Sequence, residues 1–175
     1  MASTSFLRLI TLSIGLLLSG CCANNVCDCN DAQEDAIQLR FTMAATPGGP
    51  GFSATELDTI IIQRFPKKFT NLTVPESVTL PRTGEPIVLR NAGPFTQNGA
   101  ARLSQYRYVV QYFKDVQNSK PVLTTALVID SVLLKGSYDG SGCCTCYHNT
   151  AKSVYLNGDR SAQDIKQNPV VTITE

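Results

Sequence analysis

The chain has 175 residues, with 15 Lys+Arg, 14 Asp+Glu and a formal net charge of +1. That balance excludes a protein that gathers nucleic acid by bulk positive charge, and equally one that gathers cations by bulk negative charge. A hydrophobic fraction of 43% and seven cysteines point to a folded domain with covalent cross-links rather than a disordered chain.

Residues 1–20 carry one charge, Arg8, near the start of an apolar stretch over residues 6–18, and then the small pair Ser19-Gly20. This is the layout of an export signal. It is too short for a transmembrane helix, which needs about 20 apolar residues. The residue after the small pair is Cys21, and the pattern resembles the lipobox of bacterial lipoproteins. The resemblance implies cleavage between Gly20 and Cys21, diacylation of the Cys21 thiol and acylation of the new amino terminus. Two or more fatty-acyl chains give stable membrane attachment where one does not. The alternatives are a plain secretory signal cleaved near Ala23 and an uncleaved anchor. Without residues 1–20, basic and acidic residues are equal at 14 each, because Arg8 is the only charge removed.

An exported chain meets an oxidising environment, so its cysteines are read first as disulfides. With Cys21 reserved for lipid, Cys22, Cys27, Cys29, Cys143, Cys144 and Cys146 remain. They form two clusters. A bridge between clusters closes a loop of about 110 residues or more, worth roughly 4–5 kcal/mol on chain-entropy grounds. Neighbouring cysteines bond poorly across one peptide, which favours bridges between the clusters. The expected partners are Cys27 and Cys29 with two of Cys143, Cys144 and Cys146. Six cysteines allow 15 pairings, and the connectivity stays open.

Residues 21–36 are polar and aperiodic, and read as a tether to a single domain over residues 37–175. Residues 37–43 alternate, with Ile37, Leu39, Phe41 and Met43 on one face, as in a half-buried strand. The Pro- and Gly-rich residues 46–51 read as a loop. Residues 57–65 form a β-branched run suited to a central strand. Ser53-x-x-Glu56 matches a helix capping box, but three consecutive isoleucines (60–62) discourage a helix beyond one turn. Pro66 ends the strand.

Short strands are expected over residues 71–74, 78–80 and 87–90, and a short helix or loop over 96–104. Residues 106–113 form the strongest aromatic strand, with Tyr106, Tyr108, Val110 and Tyr112 on one face. That face is either a core stripe or a sugar- or peptide-binding surface. Residues 118–121 form a turn. Residues 122–138 make one long or two short strands. Residues 143–148 and 152–156 follow, then the Asn157-Gly158 turn and a terminal strand over 170–174. Many short strands with frequent turn signals and no convincing helix predict an all-β fold, an antiparallel β-sandwich of immunoglobulin-like type. A small β-barrel is the alternative.

The densest chemical cluster spans residues 143–148. On an extended chain Cys144, Cys146 and His148 share one face. That trio is a metal-site candidate, with Cys27 or Cys29 as a fourth ligand. Against it, C-x-C on a flat strand sets its ligands about 6–7 Å apart, too far for one tetrahedral ion. Structural disulfides are the first expectation for this cluster; metal handling and a working thiol pair are the alternatives.

The stretch CCxCYxNxxKxxxLNG (Cys143, Cys144, Cys146, Tyr147, Asn149, Lys152, Leu156, Asn157, Gly158) resembles the C-terminal signature of small uncharacterised lipoproteins of the Bacteroidota. The C-x-C after the lipobox and the LDTIIIQRFPK strand fit the same group. The resemblance implies a surface or periplasmic lipoprotein with a β fold and supplies no activity. It also implies possible O-glycan acceptors at Asp-Ser/Thr-apolar sites, here Thr59 in Asp58-Thr59-Ile60 and Ser131 in Asp130-Ser131-Val132.

Enzymatic sets are missing from the sequence pattern. The chain has one histidine, so any nucleophile–base pair needs His148, which sits among disulfide candidates. The glycine-rich residues 46–52 lack the strand–helix setting of a phosphate loop. No cofactor and no nucleic acid partner are expected. The expectation is a non-enzymatic binding or structural module, held to the membrane by lipid on Cys21, with an envelope protein or glycan as partner. Cys22 replaces the Asp that marks inner-membrane retention in some proteobacteria, which favours the outer membrane.

Overall fold

A computed structural model describes residues 27, 29, 31–46, 48–68, 75–81, 86–91, 93–95, 102–141 and 144–175. Gly20, Cys21, Cys22 and Cys143 lie outside the described residues, as does the strand expected over 71–74.

One helical turn, α1 (Asp31–Glu34), precedes β1 (Ile37–Phe41). Then come β2 (Thr59–Pro66), β3 (Glu76–Pro81), β4 (Ile87–Leu89), a 3-10 turn (Leu103–Gln105) and β5 (Tyr106–Lys114). The chain finishes with β6 (Val122–Ser141), β7 (Cys144–Leu156), β8 (Gln163–Asp164) and β9 (Val170–Ile173). They form two sheets, a three-stranded one ordered β4-β1-β9 and a six-stranded one ordered β3-β2-β5-β6-β7-β8. The fold is an antiparallel β-sandwich, not a closed barrel. One pairing departs from the antiparallel rule: β1 runs parallel to β9. Parallel neighbours need a crossover, and here almost the whole chain lies between them.

The core lies between the sheets. Ile37, Leu39, Leu89, Val171 and Ile173 come from the smaller sheet; Ile60, Ile62, Val110, Leu127, Ile129, Val132 and Val154 come from the larger. Strand alternation explains who enters: in β2, residues 60, 62 and 64 face inward and 61, 63 and 65 face outward. The third inward residue is Arg64, only 2% exposed. It is matched by the aromatic rings of Phe95 and Tyr106, whose centroids lie 4.4 and 4.5 Å from the guanidinium carbon. Glu76, directly opposite on β3, completes the pairing by accepting from Arg64 Nε at 3.0 Å and from Nη2. A desolvated charge is tolerable when paired and hydrogen-bonded.

Tyr106, Tyr108 and Tyr112 are buried, so the aromatic stripe of β5 is a core stripe and not a ligand face. Tyr108 Oη donates to Leu103 O at 3.2 Å, and Tyr112 packs edge-on against Phe52, 4.9 Å between ring centroids. The capping box at Ser53 forms: Ser53 N donates to Glu56 Oε2 at 2.9 Å, and Glu56 N donates to Ser53 Oγ at 3.3 Å. Only a turn follows, because the isoleucine run enters β2.

β6 is one continuous strand of 20 residues, and β7 runs back along it. The ribbon has two halves. Near the core, Leu127, Ile129 and Val132 of β6 and Val154 of β7 are buried. From Lys135 to Gly140 every β6 residue is exposed, so the outer half projects beyond the sandwich. The register shifts between Lys135 and Gly136, which pair with Ala151 and Asn149. Thr150 is therefore the extra residue of a β-bulge, and its hydroxyl donates to Lys135 O at 3.1 Å. At the inner end, Asn157 and Gly158 both have positive φ, 52° and 77°, as Asn-Gly turns require.

Candidate functional site: the junction of the N-terminal segment with the hairpin

Residues 27, 29 and 31–36 lie along the projecting half of the ribbon. Cys27 bonds Cys144 and Cys29 bonds Cys146, with Cα–Cα distances of 5.4 and 5.3 Å. Both bridges span 117 positions. Equal offsets mean that the segment runs parallel to β7, from the hairpin tip toward the core. Cys144 and Cys146 share a strand face, so one C-x-C meets the other in step. This is possible because i and i+2 side chains of extended backbones project the same way.

Below the bridges the contact becomes polar. Asn149 Nδ2 donates to Glu34 O at 2.7 Å and to Asp35 Oδ1 at 3.1 Å, while Asn149 N donates to Glu34 Oε2 at 3.2 Å. Lys152 Nζ donates to Glu34 O at 2.8 Å and to Ala36 O. Burial pushes the Lys152 ammonium below the usual lysine range, opposed in part by Asp35 and Glu34. Asn91 Nδ2 donates to Asp35 Oδ2 at 2.9 Å, and its Oδ1 accepts from Leu103 N at 2.7 Å. The network thus reaches the turn that starts β5.

Asn149 and Lys152 are both buried, although residues three apart on a regular strand face opposite ways. The Thr150 bulge supplies the extra residue that turns both inward. The N-x-x-K spacing of the signature is therefore the spacing of a bulged strand. Tyr147 belongs to the same face. Its Oη donates to Asn149 Oδ1 at 3.3 Å, and its ring lies over Gly136, where a Cβ would sit 2.4 Å from the ring. Only glycine allows that approach.

The expected sites fall out as follows. Cys27, Cys29, Cys144 and Cys146 are joined pairwise. Cys144, Cys146 and His148 do share a face, but both sulfurs are bridged and offer no thiolate to a metal. Among the described residues no group of three His, Cys, Asp or Glu side chains could hold an ion. His148 is half exposed, with Nδ1 3.6 Å from Glu34 Oε1. Thr59 opens β2 opposite Pro81. Ser131 lies within β6, and its hydroxyl accepts from Lys67 Nζ at 2.7 Å. The polar stretch 21–36 is not all free tether: Ala36 is buried, and residues 34–36 are part of the junction. Asn149 and Lys152 were missed as positioning groups, although the signature spacing carried them.

A second concave feature is an open cleft of about 610 Å³ between the 44–56 loop, Lys114, Asp115 and Glu175. Its acids are already engaged. Glu56 Oε1 accepts from Asp115 N at 3.2 Å, Asp115 Oδ2 accepts from the Thr55 hydroxyl at 2.8 Å, and Glu175 Oε1 accepts from Lys114 Nζ at 2.7 Å. Burial alone would raise the Glu56 pKa. The Ser53 bonds and the Asp115 amide, helped by Lys114, outweigh it and hold the carboxyl below its ordinary value. These bonds close the loop onto the end of β5.

No family model matches the chain, and neither a curated protein nor a solved structure matches it.

Proposed function

We propose that this is an exported, lipid-anchored β-sandwich of the bacterial cell envelope, acting as a non-enzymatic binding or structural module. The observation that carries the proposal is the pair of in-step bridges, Cys27–Cys144 and Cys29–Cys146. Disulfides persist in oxidising compartments outside the cytoplasm, in keeping with the export signal read over residues 1–20. They also start six residues after Cys21, the residue proposed to carry lipid. In this scheme the Cys144-x-Cys146 and Asn149-x-x-Lys152 pattern is the receptor for the chain's own N-terminal segment. Tension on the anchor passes first into β7, through two covalent bonds.

The test is a Cys21→Ala variant in a bacterial host that processes lipoproteins. The variant is expected to lose fatty-acid labelling and to leave the membrane fraction; persistence in the membrane would overturn the anchor. Thiol counting on the purified chain supplies the second arm. Cys27, Cys29, Cys144 and Cys146 should all be blocked to alkylation without reduction. Free thiols at these positions with stoichiometric zinc would instead establish a metal-handling protein.

A further inference from the structure

We infer that the tip of the β6–β7 hairpin is the membrane-facing end of the domain, with Tyr138 seated in a layer of zwitterionic lipid headgroups. This placement rests on the proposed anchor at Cys21 and adds an orientation to it.

Three observations carry it. The first is direction. Because Cys27 and Cys29 pair in parallel with Cys144 and Cys146, the chain descends along β7 from tip to core. Its upstream end is therefore delivered at the tip, where Cys144 pairs with Ser141.

The second is reach. Cys21 precedes the bridged Cys27 by six residues, which span at most about 20 Å when extended. β6 has 20 residues, and at a rise of about 3.3 Å each its far end lies some 60 Å away along the strand. An acyl chain on Cys21 can bring the tip to the bilayer surface without bringing the far end there.

The third is composition. Tyr138 is 68% exposed, the most exposed of the large hydrophobic side chains among the described residues. Its ring meets Tyr147 edge-on, centroids 5.4 Å apart, and Tyr147 is itself held over Gly136. The core makes no use of Tyr138. Tyrosine, apolar in body and polar at its tip, is enriched at the headgroup level of membranes. Among the described residues 136–141 and 144–149, the charged or titratable side chains are Asp139, His148 and the two tyrosines. Asp139 and the absence of Lys or Arg there argue against attraction to anionic lipid, so the contact expected is with zwitterionic headgroups. Acyl chains supply the affinity and Tyr138 supplies the orientation.

The chain contains no tryptophan, so one substitution makes a clean reporter. The full lipidated protein would be prepared as Tyr138→Trp and, separately, as Val122→Trp. Val122 is 52% exposed and sits at the opposite end of β6. Both would be reconstituted into phosphatidylcholine–phosphatidylethanolamine vesicles, with and without bromine-labelled acyl chains. Tryptophan at 138 should shift to shorter emission wavelength and be quenched several-fold more strongly than tryptophan at 122. Equal quenching at the two positions, or stronger quenching at 122, would overturn the orientation. Intact mass and vesicle flotation separate the two levels. A chain that floats with an acylated Cys21 but shows no difference between reporters loses only the orientation. A chain without acyl mass at Cys21 loses the anchor and the orientation together. Hydrogen exchange on the unsubstituted lipidated chain gives a further readout: amides 136–141 should gain protection on vesicles, and unchanged exchange there would count against the placement.

Discussion

The two halves of the β6–β7 ribbon share a ladder but are stabilised by different physics. The inner half buries Leu127, Ile129, Val132 and Val154 against the opposing sheet. Its order follows from removing apolar surface from water. The outer half has no opposing sheet. It is held by two disulfides, by the Asn149 and Lys152 bonds to residues 34–36, and by the Tyr147 ring over Gly136. A two-stranded ribbon is marginal in water by itself. Covalent closure does for the tip what burial does for the base, and the Thr150 bulge marks the border between the two regimes.

The largest effect should come from removing both bridges. With Cys22 and Cys143 replaced by Ser throughout, changing Cys27, Cys29, Cys144 and Cys146 to Ala frees the unfolded chain from a loop of about 117 residues, worth up to about 5 kcal/mol. Removing only Cys29–Cys146 should cost less, about 2 kcal/mol, because Cys27–Cys144 still closes the long loop. Urea denaturation measures both. Hydrogen exchange should show amides of β2 and β5 losing protection only by the fall in global stability, while amides 136–141 and 144–149 drop to the lower protection of local opening. A uniform loss across the sandwich would remove the distinction between the halves.

Ile129→Ala strikes the other half. Ile129 is fully buried, and truncation of such a residue costs about 3 kcal/mol. Here the whole molecule should lose stability cooperatively, with the bridges intact, as read by the same denaturation. Lys152→Met acts at the border. It removes two donated bonds and leaves the Ala36 carbonyl in need of a partner, while Glu34 O keeps the bond from Asn149 Nδ2, an expected cost of about 2 kcal/mol. The folded pKa of Lys152 is depressed, so the unfolded chain holds the proton more tightly. The parent's stability from this group therefore rises with pH from that folded value up to about 10.4, and the gap between parent and variant should widen over that window.

Tyr108→Phe is the smallest. At pH 8 it loses one buried hydrogen bond to Leu103 O, about 1 kcal/mol. Its distinguishing mark is alkaline. Burial raises the Tyr108 pKa above its ordinary value, against the opposing charge of Arg64. The contribution is full below about pH 10, the unfolded value, and is lost as pH climbs beyond it. The variant should therefore lose stability less steeply than the parent between pH 10 and 12, by denaturation at a series of pH values.

The sandwich was legible in the residues because strand alternation is local. Ile37 and Leu39, the β5 tyrosine face and the Asn157-Gly158 turn all declare themselves within a few positions. So did the bridging of an early cysteine cluster to a late one, since neighbours in sequence bond poorly. The fourth partner of a pattern is another matter. Period-two reading places Asn149 and Lys152 on opposite faces, and a bulge overrides it through one extra residue opposite Lys135 and Gly136. The same reading sends Arg64 inward, but nothing local says that Phe95 and Tyr106 wait beside it.

Cys21, the two cysteine clusters and the β pattern are properties of the amino-acid sequence alone, because export signals, thiol chemistry and side-chain alternation act over short stretches. Tertiary structure decided which cysteines meet, that the N-terminal segment runs parallel to β7, and that β1 pairs with β9 across nearly the whole chain. Those are contacts between residues more than 110 positions apart. They depend on how two sheets stack and where one strand bulges, which no short window of sequence encodes.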